Sequence, residues 1–278
     1  MKVLYFLNES PFYLKMAYFS LYTLRKYNPD IPIEILLVLD NQKENRFIGK
    51  LQEFDFGIDL PDVNSFIKYC EKYKVNFTVI NDLDMKEESG YHPLQRMAFT
   101  RVAEDQILLL DADTFIFDDV SPFFQALKYH DLVADITDWG RWNKFLKYED
   151  KLMNPFNSGV VLFQKGLLQE YGKQVYDISM KLKSEDHPYG RWLFELENKE
   201  NSSGKLGREE IAFAFFVYNN KINFRLSTFR EIQTNNRLYN TLIHHTQTQN
   251  YIRYWKMYFG KGHFAPCKKL RCSYINKV

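Results

Sequence analysis

The chain has 278 residues, of which 45% are hydrophobic and 26% charged, and its net charge is +2. These values suit one large domain with a sizeable core, and they exclude a disordered chain. A near-neutral balance gives no electrostatic ground for a nucleic-acid partner. The charge is unevenly spread, however. No acidic residue follows Glu231, while eight basic ones from Arg237 to Lys277 put +8 on that segment and leave −6 on the rest. Such a segment suits closure over an anionic ligand, peripheral contact with an anionic membrane surface, or a solvated tail.

Three cysteines, Cys70, Cys267 and Cys272, do not make a disulfide framework, and no zinc-ligand spacing is present. Residues 1–7 are too short for a secretory signal and are followed by Asn8, Glu9 and Ser10. No apolar run approaches the ~20 residues needed to span a bilayer. A reduced, cytoplasmic setting is the expectation.

In chain order, residues 2–7 read as a first strand. Residues 11–26 carry apolar side chains at helical spacing and stop before Asn28-Pro29-Asp30, a turn signal. Residues 33–39 read as a second strand, so the chain opens β-α-β, as a parallel doubly wound sheet does. A helical stretch over 45–74, looped near 57–61, leads to a strand at 75–80. A helix at 94–103 leads to an apolar strand from Ile107. Ser121-Pro122 starts a helix, with Pro in its first turn. Strands are expected at 132–136 and 156–163, and helices at 167–183 and 208–219. Residues 139–153 are polar and aromatic without a clear period. Residues 184–207 are the most linker-like, and nothing after 219 has a strong period. No internal repeat is present.

The strand from Ile107 ends in Asp111-Ala112-Asp113. In an open α/β sheet, the carboxyl end of a strand is where ligands bind. Two carboxylates this close repel unless a cation shares them, and a hard ion such as Mn²⁺ or Mg²⁺ fits. Three readings compete: a cation site for a nucleotide diphosphate, a phosphatase of the haloacid dehalogenase type, and two surface carboxylates in a turn. The phosphatase motif wants Thr or Val where Phe115 stands, and it usually lies nearer the start of its domain.

The neighbouring residues extend the motif. Residues 104–114 read Glu-Asp-Gln-Ile-Leu-Leu-Leu-Asp-Ala-Asp-Thr, residues 115–124 continue Phe-Ile-Phe-Asp-Asp-Val-Ser-Pro-Phe-Phe, and residues 155–163 read Pro-Phe-Asn-Ser-Gly-Val-Val-Leu-Phe. In this order and spacing they resemble the retaining glycosyltransferases of family 8, the glycogenin and lipopolysaccharide galactosyltransferase group. The resemblance runs in order over residues 1–250, leaving 251–278 as a basic aromatic segment packing on that domain or extending from it.

The resemblance implies a GT-A fold, an α/β architecture with a mostly parallel central sheet flanked by helices. It implies a metal-dependent glycosyltransferase with a nucleoside-diphosphate sugar donor, a uridine (UDP) one, and a glycan or other hydroxyl acceptor, acting with retention. Asp111, Asp113 and a late histidine would hold Mn²⁺ or Mg²⁺; His244 fits the frame best and His245 is the fallback. Asn157, Ser158 and Gly159 would line the sugar pocket, with Ala112 between the carboxylates. Glu209 or Glu210 stands where the family has an Asp near the sugar. Leu7, Asn8 and Tyr13 would meet the nucleotide, and Arg96 the phosphates.

The family's Lys-Pro-Trp run after the histidine is missing, which leaves Lys256 and Lys261 as candidates at the diphosphate. Asp135, Asp138, Glu209 and Glu210 are also available as a general base, so the residues alone do not exclude inversion. A sugar-nucleotide or glycan-binding protein without turnover is the alternative from another class.

Overall fold

The computed structural model describes residues 1–39, 56–58, 60, 62–80, 98–103, 105–136, 146–154, 156–199, 208–228, 230–234, 241–246 and 248–259. The expected β-α-β opening is β1 (Lys2–Asn8), α1 (Pro11–Tyr27) and β2 (Ile33–Val38). Next come α2 (Val63–Cys70), β3 (Val75–Ile80), β4 (Ile107–Leu110) and β5 (Thr114–Ile116), then α3 (Ser121–Phe124) and β6 (Leu132–Ile136). The chain continues through β7 (Leu146–Tyr148), β8 (Lys151–Met153), β9 (Phe156–Phe163), α4 (Leu167–Leu182), α5 (Pro188–Lys199) and α6 (Arg208–Asn219). It closes with β10 (Phe224–Leu226), β11 (Ile232–Thr234), β12 (Ile243–His245) and α7 (Thr248–Phe259).

Seven strands form the central sheet in the order β10-β6-β9-β4-β1-β2-β3. All its pairings are parallel except the two made by β9, which runs against both β4 and β6. The α/β class and the mostly parallel sheet expected from the sequence are therefore present. Both faces are covered, which is why β4 is apolar and buried at every position. Alternation along β1 sends Val3, Tyr5 and Leu7 to the core beneath α1 and α7. Leu4 and Phe6 go to the opposite core, beneath α4 and α6.

The reversed strand does something a parallel one would not. It starts where β4 ends, so Asn157 to Gly159 arrive beside Asp111, and the Asp111 N–H donates to the Gly159 carbonyl at 2.7 Å. Between the pairs Ala134↔Val161 and Ile136↔Phe156, β6 has one residue, Asp135, and β9 has four, Asn157 to Val160. That wide bulge re-aims the strand, as bulges beside sites do. It sets Asp135 opposite the Asn-Ser-Gly turn.

A second sheet, β11-β12-β5, carries the chain away from the carboxylates. An ion pair ties it to the large sheet. Arg225 of β10 donates from both terminal nitrogens to Glu231 beside β11, at 2.7 and 2.8 Å. This two-pronged geometry is the strong form of such a pair. Glu231 also accepts from the Thr228 N–H and hydroxyl. Burial raises the Glu231 carboxyl value, but the Arg225 and Thr228 bonds outweigh it and hold the group below its ordinary value.

Some elements differ from the sequence expectation. The stretch that reads as a linker contains α5, because Pro188 opens it and Tyr189, Trp192, Leu193 and Leu196 recur at helical spacing. Residues 146–153, without a period in the sequence, form the hairpin β7–β8. The helix begun at Ser121 lasts one turn and continues as a 3₁₀ helix over Gln125–Lys128. The boundary placed at residue 250 falls inside α7, whose Tyr251, Tyr254, Tyr258 and Phe259 are buried in the core with Phe115. Among the described residues, no helix is long and apolar enough to cross a membrane.

Candidate metal and sugar-nucleotide site

Asp111 and Asp113 stand in the turn between β4 and β5, at the carboxyl edge of the parallel strands. Asp113 is 6% exposed, whereas the Asp111 side chain is 39% exposed, so one carboxylate is set in protein and the other faces outward. The third member of the cluster is His245. Its Nε2 lies 3.1 Å from Asp113 Oδ1 and 3.6 Å from Asp111 Oδ2. One ligand atom from each of the three residues lies within 4.8 Å of the others.

This corrects the assignment of His244. Antiparallel pairing puts His244 opposite Phe115 and His245 opposite Thr114. Phe115 points into the core under α7, stacked on Tyr251 at 5.1 Å. Paired residues share a face, so His244 is buried there too. Its Nδ1 lies 2.8 Å from the Tyr258 hydroxyl, and its ring meets Tyr254 edge-on at 4.5 Å. His245, one residue on, faces the carboxylates.

Electrostatics explains why the three belong together. Two full negative charges within 4.8 Å of each other repel by roughly 3–4 kcal/mol at an effective dielectric of about 20. Burial by itself would push His245 toward its neutral form. Asp113, then Asp111 and Asp135, outweigh that and raise it to about 9. In the metal-free protein the imidazolium thus supplies the positive charge. Two carboxylates and one imidazole are also a donor set that Mn²⁺ accepts, so the residues fit a divalent cation.

The ring of His245 is held by packing. Its Nδ1 is buried with no hydrogen-bond partner among the described residues. Its Nε2 would lie 2.6 Å from a Cβ at position 159, as would Asp111 Oδ2. Only glycine leaves room for both groups. Both carbonyls of the turn are hydrogen-bonded as well. The Thr114 hydroxyl donates to the Asp111 carbonyl at 2.8 Å. The Thr246 N–H and hydroxyl both donate to the Asp113 carbonyl at 3.0 Å.

Other residues singled out in the sequence fall around this cluster. Asn157 and Ser158 are buried, and Asn157 Oδ1 accepts from the Gly159 N–H at 2.9 Å. Ala112 is buried between the carboxylates. Leu7 and Asn8 end β1 at the same sheet edge, since Tyr5 pairs with Leu110. Leu7 is buried, and Asn8 is half-buried and turns its side chain to the Ser10 N–H at 3.1 Å. Tyr13 is half-buried in the first turn of α1.

Glu209 and Glu210 are in the first turn of α6, and Phe213 one turn later meets Phe156 at 5.1 Å. Lys256 is on the exposed side of α7. Arg96, Asp138, Lys261, Cys267 and Cys272 lie outside the described residues. Asp135 is a neighbour that the sequence marks only as one of several candidate general bases; its signal is the β9 bulge, which needs the strand register to be seen.

No family model matches the chain, and no curated protein matches it. Among solved structures, the chain is similar to the galactosyltransferase LgtC in complex with donor and acceptor sugar analogues, at 14% identity and a TM-score of 0.48 over 89% of this chain and 87% of that one. It is also similar to the glycosyltransferase GlyE of Streptococcus pneumoniae, at 15% identity and a TM-score of 0.43 over 82% of this chain and 45% of that one. A further likeness is to the bifunctional glycosyltransferase WbbM, at 9% identity and a TM-score of 0.45 over 84% of this chain and 40% of that one.

Proposed function

We propose that this chain is a metal-dependent glycosyltransferase that moves a sugar from a uridine diphosphate donor to a hydroxyl of a glycan or similar acceptor, with retention. The observation that carries the reading is the convergence of Asp111, Asp113 and His245 beneath the Asn157–Gly159 bulge at the carboxyl edge of the sheet. The sequence resemblance over residues 94–165 supports it.

When bound by these three residues, Mn²⁺ or Mg²⁺ supplies divalent charge that offsets the charge developing on a leaving diphosphate. The protein's own groups do the rest. Leu7, Asn8 and Tyr13 hold the nucleoside at the end of β1, while Arg96, Lys256 and Lys261 are candidates for the phosphates. Asn157, Ser158 and Gly159 bound the sugar, with Glu209 or Glu210 beside it. The acceptor hydroxyl attacks the anomeric carbon, and its proton passes to the departing phosphate. No strong side-chain base is required for that step. The basic segment after Glu231 is suited to an anionic surface, including a membrane.

The test is release of uridine diphosphate from a panel of uridine diphosphate sugars with and without Mn²⁺. Release only with Mn²⁺, increased by an acceptor glycan, is the expected result. Binding of the nucleotide sugar without any release would make the chain a binding module. Phosphate release from a phosphomonoester, without nucleotide binding, would make it a phosphatase.

A further inference from the structure

Tyr5, Ser20 and Thr114 carry three hydroxyls into the apolar core between α1 and the sheet, and all three residues are fully buried. They come from three elements, β1, α1 and β5. The Tyr5 oxygen lies 2.8 Å from Ser20 Oγ, and Ser20 Oγ lies 2.8 Å from Thr114 Oγ1. Thr114 Oγ1 donates to the Asp111 carbonyl at 2.8 Å.

A hydroxyl has one proton. Thr114 spends its proton on Asp111, so Ser20 must donate to Thr114, and Tyr5 must donate to Ser20. The chain therefore runs in one direction, from the middle of the core to a backbone oxygen of the carboxylate turn. Burial pushes the Tyr5 hydroxyl value upward, which keeps that end a donor. One helical turn on, Thr23 accepts from the Ile116 N–H at 3.1 Å and so holds the strand that leaves the turn.

For stability alone, an apolar core of the same shape would serve nearly as well. Replacing a buried bonded pair by apolar groups of the same shape is close to neutral. We infer that Tyr5, Ser20 and Thr114 are positioning residues of the cation site, a one-way relay of donors that fixes the Asp111–Thr114 turn and so aims both carboxylates at His245. The inference rests on the metal reading above. Thr246 performs the matching task on the Asp113 carbonyl. Asp111 and Asp113 then each have their carbonyl held by a threonine hydroxyl, and the side chains start from fixed points.

The experiment crosses packing against hydroxyl. Thr114→Val keeps the volume and loses the donor, whereas Thr114→Ser keeps the donor and loses a buried methyl. Mn²⁺ affinity is read from the electron paramagnetic resonance signal of the free ion, and stability from thermal unfolding. Thr114→Val is expected to raise the Mn²⁺ dissociation constant roughly tenfold, the usual effect of removing support behind a ligand. Thr114→Ser is expected to melt lower yet bind within about twofold of wild type. Tyr5→Phe and Ser20→Ala should weaken binding in wild type but add little to Thr114→Val, as members of one network do.

Affinity that follows melting temperature across the set overturns the inference, and so does wild-type affinity in Thr114→Val. Should Thr114→Val not fold, Tyr5→Phe and Ser20→Ala decide the matter by the same two readings. Wild-type protein that takes up no Mn²⁺ overturns the metal reading, and this inference with it.

Discussion

Asp113→Ala is expected to lower Mn²⁺-dependent release of uridine diphosphate by about a thousandfold, equivalent to roughly 4 kcal/mol of barrier. Asp113 is the buried carboxylate of the pair and the closer one to His245, at 3.1 Å. His245→Ala belongs in the same range.

His244→Ala is the informative contrast. It removes a buried bond to Tyr258 and an edge contact with Tyr254, so it should lower the melting temperature while leaving Mn²⁺ affinity within a few-fold. The bond alone is worth about 1 kcal/mol. Nucleotide release and Mn²⁺ binding, measured on the three variants together, separate the two histidines. Metal-dependent nucleotide binding that survives Asp113→Ala would remove the basis of the site.

The second large effect is expected from a single methyl group. Gly159→Ala places a Cβ 2.6 Å from both Asp111 Oδ2 and His245 Nε2, closer than real Cβ contacts come. Neither neighbour can yield without leaving the cluster. Displacing a reacting geometry by about 1 Å costs on the order of a hundredfold in rate. Overpacking of this kind adds about 1–3 kcal/mol of destabilisation. The variant should therefore lose Mn²⁺ affinity and nucleotide release together while keeping its circular dichroism spectrum. Wild-type affinity for Mn²⁺ would mean that the bulge moves aside, and that Gly159 is not what sets the ring of His245.

The two motifs on either side of this clash, around Asp111 and around Asn157, are legible in the sequence because each is attached to an apolar run. The strands Val75–Ile80, Leu132–Ile136 and Phe156–Phe163 have the bounds their residues suggest; in the last, which is buried at every position, Val160 to Phe163 leave a continuous apolar signal. What depends on register is not legible. Choosing between His244 and His245 is a parity question, answered only when β12 is laid against β5 with Phe115 in the core. A one-residue slip would exchange their faces.

The β9 bulge is hidden for the same reason, and with it the place of Asp135. Helix α7 was obscured differently. Its stripe of Tyr251, Tyr254, Trp255, Tyr258 and Phe259 has helical spacing, but tyrosine and tryptophan are only weakly apolar and Arg253 and Lys256 stand among them. The relay from Tyr5 gives no local signal, because its three residues are scattered over more than a hundred positions.

If the cluster binds a cation as proposed, the raised value of His245 would make uptake an exchange reaction. Its folded value of about 9 lies above the ordinary 6.5. The proton therefore stabilises the metal-free fold fully below pH ~6.5, and that contribution is lost as pH rises through about 9. A cation needs the Nε2 lone pair that this proton occupies. Near neutral pH, each Mn²⁺ taken up should expel close to one proton, and affinity should climb about tenfold per pH unit toward 9. Calorimetry in buffers of different ionisation enthalpy counts that proton directly. The cluster would thus carry its own counter-ion, and acid would compete with metal for the same seat.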